Sequence, residues 1–297
     1  MPMLLYKIYK HAFATDDKRV AADDEVPEAE KYVEYAKYVH DRIEEIKLVP
    51  FEEMRIQSRD GVPLYGRYYH RKDGAPIILM FHGYRSSCLR DAMGAFRFTE
   101  ECGYNILMVD QRAHRNSGGK AITFGVKERY DCLDWILHLK KIFGEDTKMF
   151  LIGLSMGAAT VLMASGLDLQ ADVRGIIADC GYSSPKEILQ SVIKDMKLPV
   201  GISYFFVKLS ARIYGGFDLE EASATEAVAK TNIPILFIHG EDDTFVPCHM
   251  SLKNYEACAS EKELLVVSGA DHGMSYMTDT KKYVETFVGF MKKQLEA

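Results

Sequence analysis

The feature that most limits how this chain can fold is a series of short, continuous apolar runs separated by helical periods. Ile77 to Phe81, Ile106 to Val109, Met149 to Ile152, Gly175 to Ala178 and Ile235 to Ile238 do not alternate apolar with polar, which suits strands buried on both faces. Leu264 to Val267 adds a last run. Between them, Val126, Tyr130, Leu133, Ile136 and Leu137 fall at helical spacing, and another helical segment runs from Met156 to about Gly166. Strands that alternate with helices build a mainly parallel, doubly wound sheet, so the expected class is α/β. Ahead of the first run, Glu53 to Ser58 and Val62 to His70 flank Arg59-Asp60-Gly61, which predicts an antiparallel hairpin at one edge.

Two segments stand outside that alternation. Residues 1–50 read as a helical extension, with Tyr32, Ala36, Val39, Ile43 and Ile46 on one stripe and a start signal at Asp24 or Glu25 before Pro27. Packing on the main domain is expected of it, and a separate docking or dimerisation helix is the alternative. Residues 51–297 then form one domain. Within it, residues 182–230 are helix-like and aromatic-rich, and are expected as a lid over the carboxyl ends of the strands, where such sheets place their ligands. Tyr204, Phe205, Phe206, Tyr214 and Phe217 either line a pocket there or pack the lid onto the sheet, and the choice of substrate is expected to fall to this segment.

Composition narrows the partners. With 47% hydrophobic residues, 27% charged residues and a net charge of −6, the chain reads as an ordinary globular protein and not as a nucleic-acid binder. The six cysteines show no metal-ligand spacing and are expected as reduced thiols in the cytoplasm. Leu198 to Phe217, the most apolar stretch, is broken by Lys208, Arg212 and glycines, so no membrane span is expected. Met1 to Lys10 lacks the features of a signal peptide.

The chemistry concentrates at Gly153-Leu154-Ser155-Met156-Gly157. The pentapeptide alone is a weak signal. Its place between the strand Met149 to Ile152 and a helix beginning near Ala158 makes it a strong one. A serine on such a turn projects above the sheet, and glycines on either side relieve collisions with the neighbouring strand and helix. The Met156 N–H then falls in the first helical turn, where it can donate to an oxyanion with help from the helix dipole.

A serine nucleophile needs a base, and the base needs an orienting acid. Behind a turn of this kind the chain order is Ser, acid, His. Past Ile235 to Ile238 come three acids, Glu241, Asp242 and Asp243. Past the last run comes His272, in Gly269-Ala270-Asp271-His272-Gly273. The second oxyanion donor is expected from His82-Gly83-Tyr84-Arg85, with the Tyr84 N–H as the candidate. His82 is expected to hydrogen-bond structurally, His239 to pack beside the acid loop, and His11, His40, His70, His138 and His249 to be surface or core residues.

Taken in order, His82-Gly83, Asp110-Gln111-Arg112, Gly153-Leu154-Ser155-Met156-Gly157, His239-Gly240-Glu241-Asp242-Asp243-Thr244-Phe245-Val246-Pro247 and Gly269-Ala270-Asp271-His272 resemble the α/β-hydrolase superfamily. The likeness is to its esterases, monoacylglycerol lipases, cinnamoyl esterases and serine aminopeptidase-like hydrolases, over residues 51–297. It implies Asp243 as the acid, and a serine hydrolase acting on a small-molecule ester or related acyl substrate without metal or organic cofactor. A thioesterase, an amidase on the same residues, and a non-catalytic binding protein are the alternatives. The segment Asp110-Gln111-Arg112-Ala113-His114-Arg115-Asn116-Ser117 departs from the superfamily's glycine-rich pattern. It is expected as structural support, with Arg115 a possible substrate contact. The oligomeric state is open.

Overall fold

The computed structural model describes residues 1–15, 30–169 and 173–296, and the side chains among these outside 30–34. The strands are β1 (Glu52–Gln57), β2 (Pro63–Tyr69), β3 (Ile77–Phe81), β4 (Asn105–Asp110), β5 (Met149–Leu154), β6 (Val173–Asp179), β7 (Ile235–Gly240) and β8 (Lys262–Val267). They form one eight-stranded sheet in the order β1-β2-β4-β3-β5-β6-β7-β8. β1 and β2 run antiparallel to each other, β2 runs antiparallel to β4, and every pairing from β4 to β8 is parallel. This is the mainly parallel α/β sheet that the apolar runs predict, with the hairpin at one edge, and it has the α/β-hydrolase architecture that the resemblance implies. Gly61, at a φ of 80°, closes that hairpin by donating to the Ser58 carbonyl at 2.8 Å.

The helices are α1 (Pro2–Ala12), α2 (Glu30–Leu48), α3 (Cys88–Asp91), α4 (Met93–Cys102), α5 (Glu128–Phe143), α6 (Met156–Ala164), α7 (Pro185–Asp195), α8 (Val200–Ser210), α9 (Ala224–Val228), α10 (His249–Ala257), α11 (Ser275–Thr278) and α12 (Thr280–Glu296). A π-helical turn, Ala211–Gly215, extends α8. Because side chains alternate across a strand, β3 sends Ile77, Leu79 and Phe81 into the core on one face of the sheet. Its Ile78 and Met80 go to the core on the other face. Residues Val39, Ile43 and Ile46 of α2 are buried in this second core, as their spacing predicts. The start signal at Asp24 or Glu25 and the Tyr32 side chain lie outside the described residues. In α5 the buried stripe runs through Cys132, Trp135, Ile136 and Leu139. Leu137 is exposed, one residue round from Ile136 and so off that stripe, which corrects the expected face.

Helices α7, α8 and α9 fill residues 185–228, between β6 and β7. α1 packs along α8: Tyr9 and Phe13 are buried, and the Phe13 ring meets Phe217 edge-on at 5.4 Å. The Tyr214 hydroxyl donates to the Pro2 carbonyl at 3.0 Å, and Tyr84 donates to the Ala12 carbonyl at 2.8 Å. α1 therefore ties α8 to the loop that follows β3. Among the described residues, no helix is long and apolar enough to cross a membrane.

Candidate active site

Ser155 sits between β5 and α6 at φ 55° and ψ −114°, a conformation that a residue with a side chain rarely adopts. The backbone is held there by the Ser155 N–H, which donates to the Asp179 carbonyl at 2.8 Å. The flanking glycines are sterically required. A β-carbon on Gly153 would lie 2.2 Å from the Gly157 carbonyl carbon, and one on Gly157 would lie 2.1 Å from the Phe81 oxygen. The turn thus draws β5, α6 and the end of β3 into contact at one point.

The two partners that the sequence supplies converge there. His272 Nε2 is 3.0 Å from Ser155 Oγ, and His272 Nδ1 is 2.7 Å from Asp243 Oδ2. Of the three acids after β7, Glu241 and Asp242 are exposed while Asp243 is buried against the imidazole. Its Oδ1 accepts the Phe245 and Val246 N–H groups at 2.9 and 2.7 Å. Burial alone would raise the Asp243 carboxyl, but hydrogen bonds from His239 and His272 hold it well below the usual carboxylate range. Its second imidazole neighbour, His239, does more than pack beside the acid loop. His239 Nε2 lies 3.1 Å from Asp243 Oδ2, and its Nδ1 shares a hydrogen bond with Ser251 Oγ at 2.6 Å. The i, i+4 spacing of His239 and Asp243 was the available signal.

On the β3 side, Gly83 N–H donates to Asp91 Oδ2 at 2.6 Å and Arg85 N–H donates to His114 Nε2 at 3.0 Å. These anchor the loop on either side of the Tyr84 amide. Met156 is the first residue of α6, whose opening N–H groups have no partner within the helix. His82 is fully buried: its Nδ1 faces the Gly83 carbonyl at 2.8 Å and its Nε2 accepts the Gln111 N–H at 3.0 Å, the structural role expected of it. Arg112 is buried between Asp60 and Asp131. Arg115 is exposed and borders a separate polar cavity, away from Ser155.

One cluster among the described residues has metal-binding elements, Cys180, Asp243 and His272, with ligand atoms within 4.8 Å of one another. Burial, with the Asp179 and Asp243 carboxylates close by, keeps the Cys180 thiol well above its ordinary pKa and so in the protonated form. The other two members are already bonded to each other.

A cavity of about 250 Å³ opens beside Ser155 and His272. Its apolar walls include Val39 of α2, Met93 of α4, Ile152 of β5, Met277 of α11 and Phe287 of α12. None of its lining residues comes from 182–230, contrary to the expected place of substrate choice. Tyr204 and Phe217 are instead buried in the core, and Phe205 is exposed.

The sheet order, the serine turn and its neighbours define an α/β-hydrolase. Residues 98–297 match the prolyl oligopeptidase family (Peptidase_S9), and the chain belongs to that family. It is 28% identical over 257 residues to the uncharacterised protein YqkD of Bacillus subtilis, covering 85% of this chain and 83% of that one. It is 25% identical over 205 residues to the lysophosphatidylserine lipase ABHD12 of Xenopus tropicalis, covering 64% of this chain and 48% of that one. Among solved structures, the esterase Pf2001 of Pyrococcus furiosus superimposes with a TM-score of 0.66 at 25% identity, over 82% of this chain and 93% of the esterase.

Proposed function

We propose that the chain hydrolyses carboxylic esters of small or medium acyl groups in two acyl-transfer steps. Ser155 Oγ adds to the ester carbonyl carbon while its proton passes to His272 Nε2. The carbonyl oxygen, now an alkoxide, is stabilised by the N–H groups of Met156 and Tyr84, the first aided by the α6 dipole. The carbonyl re-forms, the C–O bond to the leaving group breaks, and His272 returns the proton to the departing alcohol. Water then repeats the cycle on the acyl-serine and releases the acid. Asp243 keeps the imidazole in the tautomer that has Nε2 free to accept, and stabilises the imidazolium. The observation that carries this reading is the hydrogen-bonded sequence from Asp243 through His272 to Ser155. The likeness to an esterase of known structure supports the ester as substrate.

Membership of a peptidase family favours a second substrate for the same residues, an aminoacyl amide or short peptide. The scheme is common to both, because the serine and its partners recognise the transition state and the cavity recognises the rest. A fluorophosphonate probe tests the nucleophile: wild type is expected to take up one label per chain and Ser155→Ala none. Equal labelling of the two would move the chemistry elsewhere. A parallel panel of p-nitrophenyl esters, a thioester and aminoacyl p-nitroanilides then decides the bond.

A further inference from the structure

Asp243 stands on a loop, yet its carboxylate must stay in line with His272. Its Oδ1 accepts the Phe245 and Val246 amides, which belong to the same loop and move with it. Its Oδ2 has two imidazole neighbours, His272 Nδ1 at 2.7 Å and His239 Nε2 at 3.1 Å. His239 lies within β7 and is fully buried. Its Nε2 is also 2.8 Å from the Val246 carbonyl, so it touches the acid and the acid's own loop at once. Its Nδ1 is 2.6 Å from Ser251 Oγ in α10, and that hydroxyl reaches the Gly181 carbonyl, just past β6, at 3.1 Å. A carbonyl and an ionised carboxylate only accept hydrogen bonds, so Nε2 carries a hydrogen.

We infer that His239 is a positioning residue for the hydrolysis proposed above: its Nε2–H holds Asp243 Oδ2 from β7 and takes up part of the charge that Oδ2 would otherwise present to His272 alone. This rests on the reading of Ser155, His272 and Asp243 as nucleophile, base and acid, and adds a fourth member behind the acid. Two effects follow. The carboxylate is tied to a strand and not only to its own loop. An oxygen shared between two N–H groups also stabilises an imidazolium at His272 less than an oxygen facing His272 alone, so His272 gives up its proton more readily and is free to act as a base. The other titratable groups around this row are Asp179 at the end of β6, Cys180 after it, Cys248 ahead of α10, the exposed Glu241 and Asp242, and Asp271 beside His272. Burial pushes both thiols up and so keeps them protonated. Asp271 accepts the Thr244 N–H at 2.8 Å. Asp179 Oδ2 accepts the Tyr283 hydroxyl at 3.0 Å, Oδ1 has no hydrogen-bond partner among the described residues, and burial pushes this carboxyl up to about 6. Asp179 is therefore the group to control for.

The test uses three variants and the pH profile of kcat/KM on a p-nitrophenyl ester, whose acid limb reports the base of the free enzyme. His239→Gln places an amide N–H where Nε2 was. His239→Asn reaches only as far as Nδ1, keeping the Ser251 contact and losing the one to Asp243. His239→Leu keeps neither, and either of these two serves as the deletion if the other does not fold. Asn and Leu are expected to lower kcat about tenfold or more, the scale of a lost hydrogen bond to a charged group, with KM changed by less than about twofold. They are also expected to move the midpoint of the acid limb upward by about 0.5 pH unit or more. Gln is expected to return that midpoint to the wild-type value. The shift should persist when the same variants are made in an Asp179→Asn background. A fall in kcat with an unmoved midpoint would mean that His239 only packs. Equal midpoints in Asn and Gln would assign the effect to the ring and not to its N–H, and a shift that vanishes without the Asp179 carboxyl would assign it to Asp179. Each of these overturns the inference. If the fluorophosphonate probe labels Ser155 in wild type, such a result removes only the role of His239. If it does not, the hydrolase reading fails first.

Discussion

At the scale of single residues, neighbouring acids in one loop differ because of where their backbone places them. Asp243 is buried and bonded to two imidazoles and two amides, whereas Asp242 is exposed. Asp243→Asn is therefore expected to lower kcat on a p-nitrophenyl ester by about 10³–10⁴-fold, the scale for losing the orienting acid, and Asp242→Asn by less than about twofold. The reverse order would shift the acid one residue back. Asp179 gives a second, pH-dependent expectation. Burial pushes its carboxyl up to about 6, against the hydrogen bond from Tyr283 and the nearby His239 and His272, and with the neighbouring Asp243 charge adding to the rise. An acid whose folded pKa is raised keeps its proton in the folded state after the unfolded chain has lost it. Stability then falls as pH rises from about 4 to about 6, by up to about 3 kcal/mol for a shift of this size. Asp179→Asn should lack that fall, so urea midpoints of the two proteins should diverge across this window. Parallel curves would contradict it. Much at this scale was legible in the sequence. The glycines around Ser155 and the order of Ser155, the acids and His272 are local patterns with steric and chemical reasons. The choice of Asp243 over Asp242 needed either a resemblance or coordinates, since both follow the same strand. Asp179 was not legible at all, because nothing local distinguishes a strand-ending aspartate that is short of a donor.

At the scale of elements, the cavity beside Ser155 is assembled from pieces far apart in the chain. Tyr35 and Val39 come from α2, Met93 and Gly94 from α4, and Tyr276 and Met277 from α11. The aromatic richness of residues 182–230 suggests a pocket lining, yet Tyr204 and Phe217 serve the core on the other face of the sheet. A sequence reports that a stripe is apolar and leaves open whether neighbouring stripes close on each other or leave a gap, because the gap depends on how several helices are spaced. α2 is thus more than a covering helix. Val39→Trp is expected to fill part of the cavity and lower kcat/KM for an octanoyl ester, relative to an acetyl ester, by about tenfold or more, as removing room for a few methylenes should. An unchanged ratio would show that the chain binds elsewhere.

At the scale of the whole molecule, the mainly parallel sheet is legible in the length and continuity of the apolar runs, since a parallel strand must be buried on both faces, whereas the order of the strands, with β4 between β2 and β3, is not. What those runs do not encode is the set of ties between distant parts. Arg112, just past β4, reaches both Asp60 in the hairpin turn and Asp131 in α5. Its loss leaves Asp131 buried and without its cation. Arg112→Ala is expected to cost about 3–5 kcal/mol, the range for breaking a buried pair, read as a fall in the urea midpoint. A shift under about 1 kcal/mol would show that water replaces the guanidinium. The packing of α1 on α8 has a consequence of another kind, in time. Tyr9 and Phe13 are made long before Tyr214 and Phe217, against which they pack. With roughly 200 residues between them, synthesis at about 5–20 residues per second leaves the apolar face of α1 waiting some 10–40 seconds for its partner. During that interval the growing chain has only Tyr84 and the segment around Phe124 to cover this apolar face in part, so α1 is a stretch on which a chaperone has a long hold.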